Sequence, residues 1–413
     1  METHHTLISN EIQVDCSFPG GNIVVDDIID NNLFVHQDLR DTTPKFILAW
    51  TWQKVMDGTE PDPLTTPARW FGWFYWYFRV TGAAGKKLNI HFTRGDVLTA
   101  NGPACSFDGG KTWQWLGAES LVRGGFVCQV PENLTEVRFC TAFPYLEEHL
   151  HAFLKKHVGS PNFRMETLCQ SRKGRPVEKV LLGQLGSDCK YKVALTARGH
   201  ASEMMASHVL QGIMDTVMSD TDLGQWLSNN VAFFVVPFVD KDGVEDGDEG
   251  KNRIPFDHNR DYAHDSIYPE VKAIRQQVAE WAEGKLRIAI DLHDPELIGD
   301  LNEQIFFVGS PVPEIQHEIS RFSKFLGNLR QGPLPYQTKN NLEFGKGWNT
   351  KRALATFTNW ATELPGIAFG ASLEIAYSNF SGVQVTDESA RLFGRDIANA
   401  IRSYLQWKES SND

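Results

Sequence analysis

The sequence has no basic tract. Its 40 Lys and Arg stand against 52 Asp and Glu, a formal net charge of -12 over 413 residues. Phosphate affinity comes mainly from clustered Lys and Arg, so a general nucleic-acid binder is excluded. No apolar run approaches the roughly 20 residues that span a bilayer, which argues against a membrane protein. The opening segment, residues 1 to 16, lacks the basic stretch, apolar core and small-residue cleavage site of a secretory signal, and a cytoplasmic protein is expected. The six cysteines (Cys16, Cys105, Cys128, Cys140, Cys169, Cys189) show no CxxC spacing. Neither a thiolate zinc site nor a disulfide framework is indicated, and buried thiols are expected. There is no internal repeat, no low-complexity segment, and no feature that specifies an oligomeric state.

What is present is core material: 41% hydrophobic residues, with 12 Trp and 26 Phe. That suffices for full-sized packed cores, and the length suits two domains. Residues 1–145 read as all-β, with runs such as Trp73 to Val80 and Leu88 to Phe92 separated by Gly, Asn and Asp turn signals. The segment from Ser106 to Trp113, Ser-Phe-Asp-Gly-Gly-Lys-Thr-Trp, reads as a hairpin turn feeding a strand. A β-sandwich is expected there. From about residue 165 the rhythm changes to buried strands alternating with amphipathic helices, so residues 146–413 form an α/β domain with a substantially parallel sheet. Candidate strands are Val193 to Ala197, Val231 to Val239, Leu286 to Leu292, Ile305 to Val308 and Ile367 to Ile375. Met205, Val209, Ile213 and Val217 recur at helical spacing, which predicts a long helix packed on that sheet.

The chemistry concentrates at strand ends. His200 and Glu203, three apart, sit where a buried strand gives way to a helix and suit two metal ligands. A second pair with this spacing, His293 and Glu296, encloses Pro295, so only His293 is read as a ligand, the third. A His, Glu, His set leaves one coordination position of zinc for water, the composition of a catalytic site. Asp257-His-Asn259-Arg260 follows the strand from Val231, where loops build sites in open α/β sheets. Arg260 offers a rigid fork to a carboxylate and Asn259 a neutral donor beside it. Arg253, a few residues earlier, is a candidate donor to a scissile carbonyl. Glu374 lies in the strand-like run from Ile367, where an acid is costly unless paired or used, and reads as a general base. Each has a bland alternative: a hydrogen-bonded histidine, a solvated turn, a surface arginine, or an exposed strand face.

Together these residues resemble the zinc metallocarboxypeptidase family of the pancreatic carboxypeptidases, its cytosolic carboxypeptidase branch above all. The family order is HxxE, Asp-x-Asn-Arg, a strand ending in His, and a strand carrying Glu. It is met by His200 and Glu203, then Asp257, Asn259 and Arg260, then His293, then Glu374. The N-terminal region is similar to the β-sandwich of that branch through Phe18 to Ile23, Trp73 to Arg79 and Ser106 to Trp113. The resemblance implies an α/β/α catalytic domain with a central mixed sheet. It also implies one Zn2+ per chain, held by His200, Glu203 and His293, and a peptide or protein C-terminus as substrate. In this reading Glu374 is the base, Arg253 steadies the oxyanion, Asp257 orients His200, and Asn259 and Arg260 read the terminal carboxylate. Tyr336 and Tyr377 fall where the family places a substrate-capping tyrosine, and the motifs do not choose between them. The specificity pocket is expected near Ala355 to Trp360, where Thr356, Thr358 and Asn359 are polar and Lys351 and Arg352 lie just upstream, which suits an acidic side chain such as glutamate. Two competing readings use the same residues: a zinc-dependent deacylase of N-acyl amino acids, and a non-catalytic peptide- or glycan-binding protein with a vestigial zinc site.

Overall fold

The computed structural model describes residues 6–9, 11–40, 73–186, 189–251, 253, 255–263, 265–350 and 355–411. The chain divides into two compact units, one of Met1–Leu146 with Gly243–Asp257, the other of Glu147–Asp242 with His258–Asp413.

The first unit is built from strands with one buried face. Lys87–Phe92 alternates between buried and more exposed side chains, the period of a half-buried strand. Six strands form one sheet, in the order Thr6–Ser9, Ile12–Asp15, Tyr77–Thr81, Glu136–Cys140, Ala104–Ser106, Gln114–Trp115. Five form the other, in the order Val24–Ile29, Asn32–His36, Lys87–Phe92, Gly125–Gln129, Leu121–Val122. Aromatic rings join their inner faces: Phe139 of the first sheet meets Phe126 of the second edge-on, with ring centroids 5.0 Å apart. This is the expected sandwich. The Ser106 to Trp113 segment connects two antiparallel strands, with Ala104 opposite Trp115. Gly109 and Gly110 take φ of 79° and 90° in that turn, where a side chain would be strained. The segment Gly243–Asp257 groups with this unit through backbone-seeking side chains. Asn22 Nδ2 donates to the Gly247 carbonyl (2.7 Å), and Glu249 Oε2 accepts from Tyr75 N (2.9 Å).

The second unit holds a mixed seven-stranded sheet, in the order Phe163–Gln170, Pro176–Gly183, Val231–Val236, Tyr191–Ala197, Leu286–His293, Phe369–Glu374, Phe306–Phe307. The four strands from Val231–Val236 to Phe369–Glu374 run parallel, and antiparallel strands flank them on both sides. Tyr191–Ala197, Val231–Val236 and Phe369–Glu374 are buried at every position, as continuous apolar strands covered on both faces must be. Ala194, Phe234, Val236 and Ala289 meet Val271, Ile274 and Val278 of the helix Pro269–Ala282. The predicted helical stripe lies on Met204–Val217, where Met205, Val209 and Ile213 are fully buried. Burying each such side chain contributes about 1.5–3 kcal/mol. That helix packs against Asp387–Ser410 at glycines: a Cβ on Gly212 would lie 2.0 Å from the Arg391 carbonyl. The expected strands thus form, and His293 and Glu374 end two of the parallel ones. No helix among the described residues is long and apolar enough to cross a membrane.

Candidate active site

Three of the predicted ligands converge. The strand Tyr191–Ala197 ends three residues before His200, and a turn closed by Glu203 N donating to the His200 carbonyl (3.4 Å) leads into the helix that starts at Met204. Glu203, the residue capping that helix, is 1% exposed and directs one carboxylate oxygen at each histidine. Its Oε1 lies 2.8 Å from His200 Nδ1 and its Oε2 2.6 Å from His293 Nδ1. One donor atom from each of the three residues lies within 4.8 Å of the other two. His293 is the last residue of its strand, as expected. Glu374 is the last of the neighbouring parallel strand and is the register partner of His293. It is 7% exposed.

His293 is held from two sides. Burial works against a charge on its ring, yet the carboxylates of Asp291 and Glu203 outweigh it and raise its pKa well above the ordinary histidine value. Asp291 Oδ2 lies 2.6 Å from His293 Nε2, and Asp291 Oδ1 accepts from Thr196 Oγ1 (2.6 Å). Because a carboxylate only accepts, Nε2 carries a proton toward Asp291.

Asn259 and Arg260 sit in a short 3-10 turn, His258–Arg260, of the same unit. Asn259 Oδ1 accepts from Phe357 N (3.1 Å), which turns its Nδ2 to 2.9 Å from His293 Nε2. Arg260 is half-buried and donates to the Asn259 carbonyl (2.9 Å). Arg253 and Asp257 belong to the N-terminal unit, where Arg253 Nη1 donates to Asp248 Oδ2 (3.1 Å). Tyr336 is buried, its hydroxyl donating to Asn341 Oδ1 (2.9 Å), whereas Tyr377 donates to the carbonyl of Ser202, inside the turn that carries the first two candidate ligands (3.2 Å). In the expected pocket stretch, Thr356 caps the short helix Phe357–Ala361 and accepts from Asn359 Nδ2 (3.0 Å). Thr358 Oγ1 lies 3.2 Å from the Thr356 hydroxyl. Lys351 and Arg352 lie outside the described residues.

Three residues that sequence reasoning passed over bear on the site. Asp291 stands two before His293 in an apolar strand, so period two puts both on one face, and a buried acid there was the same signal that singled out Glu374. Arg198, 1% exposed and at φ 58°, donates from Nε to the Ala201 carbonyl (2.8 Å) and braces the His200 turn. Asp294 Oδ2 accepts from Met205 N (2.8 Å), tying the residue after His293 to the helix that follows Glu203. A second His and Glu cluster, Glu147, His151 and Glu178, is an ion-pair network, since Lys241 Nζ lies 2.5 Å from Glu147 and 2.8 Å from Glu178.

Comparison with known proteins finds similar sequences over parts of the chain and similar folds over most of it. Residues 150–266 match the zinc carboxypeptidase family model. Cytosolic carboxypeptidase 6 of Caenorhabditis elegans is 29% identical over 173 residues, 39% of this chain and 38% of that protein. Cytosolic carboxypeptidase 6 of Mus musculus is 25% identical over 298 residues, 67% of this chain and 52% of that protein. The chain therefore spans from over a third to about half the length of these curated relatives. In fold it is similar to a metallo-carboxypeptidase from Burkholderia cenocepacia, with TM-score 0.75, 20% identity, and coverage of 96% of this chain and 99% of that one. A metallo-carboxypeptidase from Pseudomonas aeruginosa, in complex with (2-guanidinoethylmercapto)succinic acid, gives TM-score 0.69 at 18% identity, over 95% of this chain and 99% of that one. The family resembled by the motifs is the one these comparisons return: residues 150–266 are similar to zinc carboxypeptidases, and cytosolic carboxypeptidases are among the curated proteins that parts of the chain resemble.

Proposed function

We propose that this protein is a cytoplasmic zinc metallocarboxypeptidase that removes residues one at a time from the C-termini of peptides or proteins. The observation that carries the reading is the convergence of two imidazole Nδ1 atoms on the two oxygens of Glu203, beside Glu374. Two imidazole nitrogens, which give up any proton they carry when a metal binds, and one carboxylate form a donor set that suits zinc and leaves a position open, so His200, Glu203 and His293 would hold one ion per chain. Zinc, when bound, supplies Lewis acidity that makes water a nucleophile near neutral pH and polarises the scissile carbonyl.

The rest of the chemistry falls to the chain. Glu374 takes the proton of the attacking water and passes it to the leaving amine. Asn259 Nδ2 and the Arg260 guanidinium bind the terminal carboxylate, which makes the hydrolase an exopeptidase. Acidic C-terminal side chains, glutamate first, are the preferred substrates, with Lys351 and Arg352 supplying positive charge. The intact donor set beside an acid placed as a base favours catalysis over a vestigial site.

The test is zinc content together with turnover of peptides varied at the C-terminus. About one zinc per chain and stepwise release of C-terminal residues support the reading. A zinc-loaded protein that releases nothing from any free C-terminus would overturn it.

A further inference from the structure

We propose that Thr196 and Asp291 form a buried positioning pair that fixes the ring of His293 so that Nδ1 faces the metal position. The inference rests on the zinc reading above and extends it to two residues with no contact to substrate.

The arrangement follows from the sheet. Thr196 and Asp291 are register partners on adjacent parallel strands, so their side chains leave the same face side by side. Asp291 and His293 are two apart on one strand and share that face as well. The three side chains make a line of hydrogen bonds: Thr196 Oγ1 to Asp291 Oδ1 at 2.6 Å, and Asp291 Oδ2 to His293 Nε2 at 2.6 Å. All are at most 2% exposed. A carboxylate here must be satisfied to be tolerated, and each oxygen has one donor.

The consequence is a fixed tautomer and a fixed ring plane. With the Nε2 proton directed at Asp291, Nδ1 is the nitrogen left to meet a cation, and it already lies 2.6 Å from Glu203 Oε2. Without Asp291, Nε2 faces only the Asn259 amide nitrogen at 2.9 Å, a donor that favours the opposite tautomer with the proton on Nδ1. Thr196 acts one step further back, by holding the Asp291 carboxylate in the orientation that reaches Nε2. Such outer partners of a metal-binding histidine typically change metal affinity by about 10–100-fold. Neither residue touches substrate, so both are positioning residues.

The experiment measures zinc affinity of the full-length protein, made metal-free by chelation and titrated against a competing chromophoric chelator. The variants are Asp291→Asn, Thr196→Val, Thr196→Ser and His293→Ala, with the visible spectrum of each Co2+ form recorded alongside. Asp291→Asn should weaken zinc binding by about 10–100-fold and Thr196→Val by about 10-fold, each with an altered cobalt spectrum. Thr196→Ser keeps the hydroxyl and should restore both. A merely structural role would lower the melting temperature without moving the spectrum. If Asp291→Asn does not fold, the contrast between Val and Ser at position 196 decides alone. Wild-type affinity and spectrum in Thr196→Val and Asp291→Asn, with zinc lost from His293→Ala, would overturn the positioning pair and leave the zinc reading standing. Undiminished zinc affinity in His293→Ala would bring down both.

Discussion

His293 and Glu374 end adjacent parallel strands as register partners, and the backbone joins them again one residue on, where Ile375 N donates to the His293 carbonyl at 2.7 Å. The proposed ligand and the proposed base are thus set by the rigid part of the sheet, which fixes positions more precisely than a loop does.

That placement separates their roles. Glu374→Gln removes the basic oxygen while keeping the shape, so zinc content and substrate affinity should be unchanged. The fall in kcat should be at least about 100-fold, the scale of losing a general base. Metal analysis beside steady-state kinetics checks both. Zinc lost from this variant would make Glu374 a ligand.

His200→Ala and His293→Ala each leave two protein ligands, which rarely hold zinc tightly. Both variants should be purified with little metal, and the wild type with about one ion. Full occupancy in both would refute the assignment.

Much of this site was legible because its residues punctuate strong apolar runs. The strands bearing His293 and Glu374 are largely apolar, so the imidazole and the acid at their ends stood out, although Arg287 and Asp291 interrupt the first. The antiparallel pair Phe163–Gln170 and Pro176–Gly183 gave no such signal. The first of these strands is mostly exposed and mixed in character, with Arg164, Glu166 and Thr167 along it. The grouping of Gly243–Asp257 with the N-terminal unit was equally hidden, since it depends on contacts such as Asn22 with Gly247, 225 residues apart. Arg198 escaped notice for another reason: a buried arginine in a left-handed conformation looks, in sequence, like any surface arginine.

Exopeptidase action depends on the substrate's free carboxylate. C-terminal amidation removes the charge that Arg260 would pair with, and turnover should fall at least about 100-fold, since a charge-assisted bidentate contact is lost and the fork is left unsatisfied. Arg260→Ala should erase the difference between free and amidated peptides by lowering the former. Amidated peptides cut as fast as free ones would defeat the exopeptidase assignment.

Acidic preference is tested by kcat/KM for peptides ending in Glu, Lys, Phe and Ala. The hydroxyls of Thr356 and Thr358 already lie against each other, and Thr356 caps its helix, so charge selection falls to a cation rather than to those groups. Glu should be favoured, and Lys351→Ala or Arg352→Ala should cut that preference about tenfold, the equivalent of roughly 1.4 kcal/mol. A wild-type preference for Phe or Lys would end the idea, and unchanged selectivity in both variants would place the cation elsewhere.

The sandwich offers a prediction independent of zinc. Burial opposes charge on Asp108, but the bonds from Thr112, Ser106 and Lys111 together prevail and bring its pKa from an ordinary 3.8 down to about 2. Lys111 N and Thr112 N both donate to Oδ1, at 3.0 and 2.9 Å. A carboxyl with a folded pKa below its unfolded one stabilises the fold fully above the unfolded value, and that contribution is lost as pH falls toward the folded value. The residue is exposed, so solvent screening limits the effect to about 0.5 kcal/mol. For a unit of this size that is roughly 1–2 °C in melting temperature. Asp108→Asn keeps the turn's shape without the charge. Its melting temperature should therefore trail the wild type by that margin at pH 6, and the gap should close as pH drops from 4 toward 2. Thermal unfolding followed across that range provides the check, and a gap that stays constant down to pH 2 would remove the Asp108 charge from the account of the turn's stability.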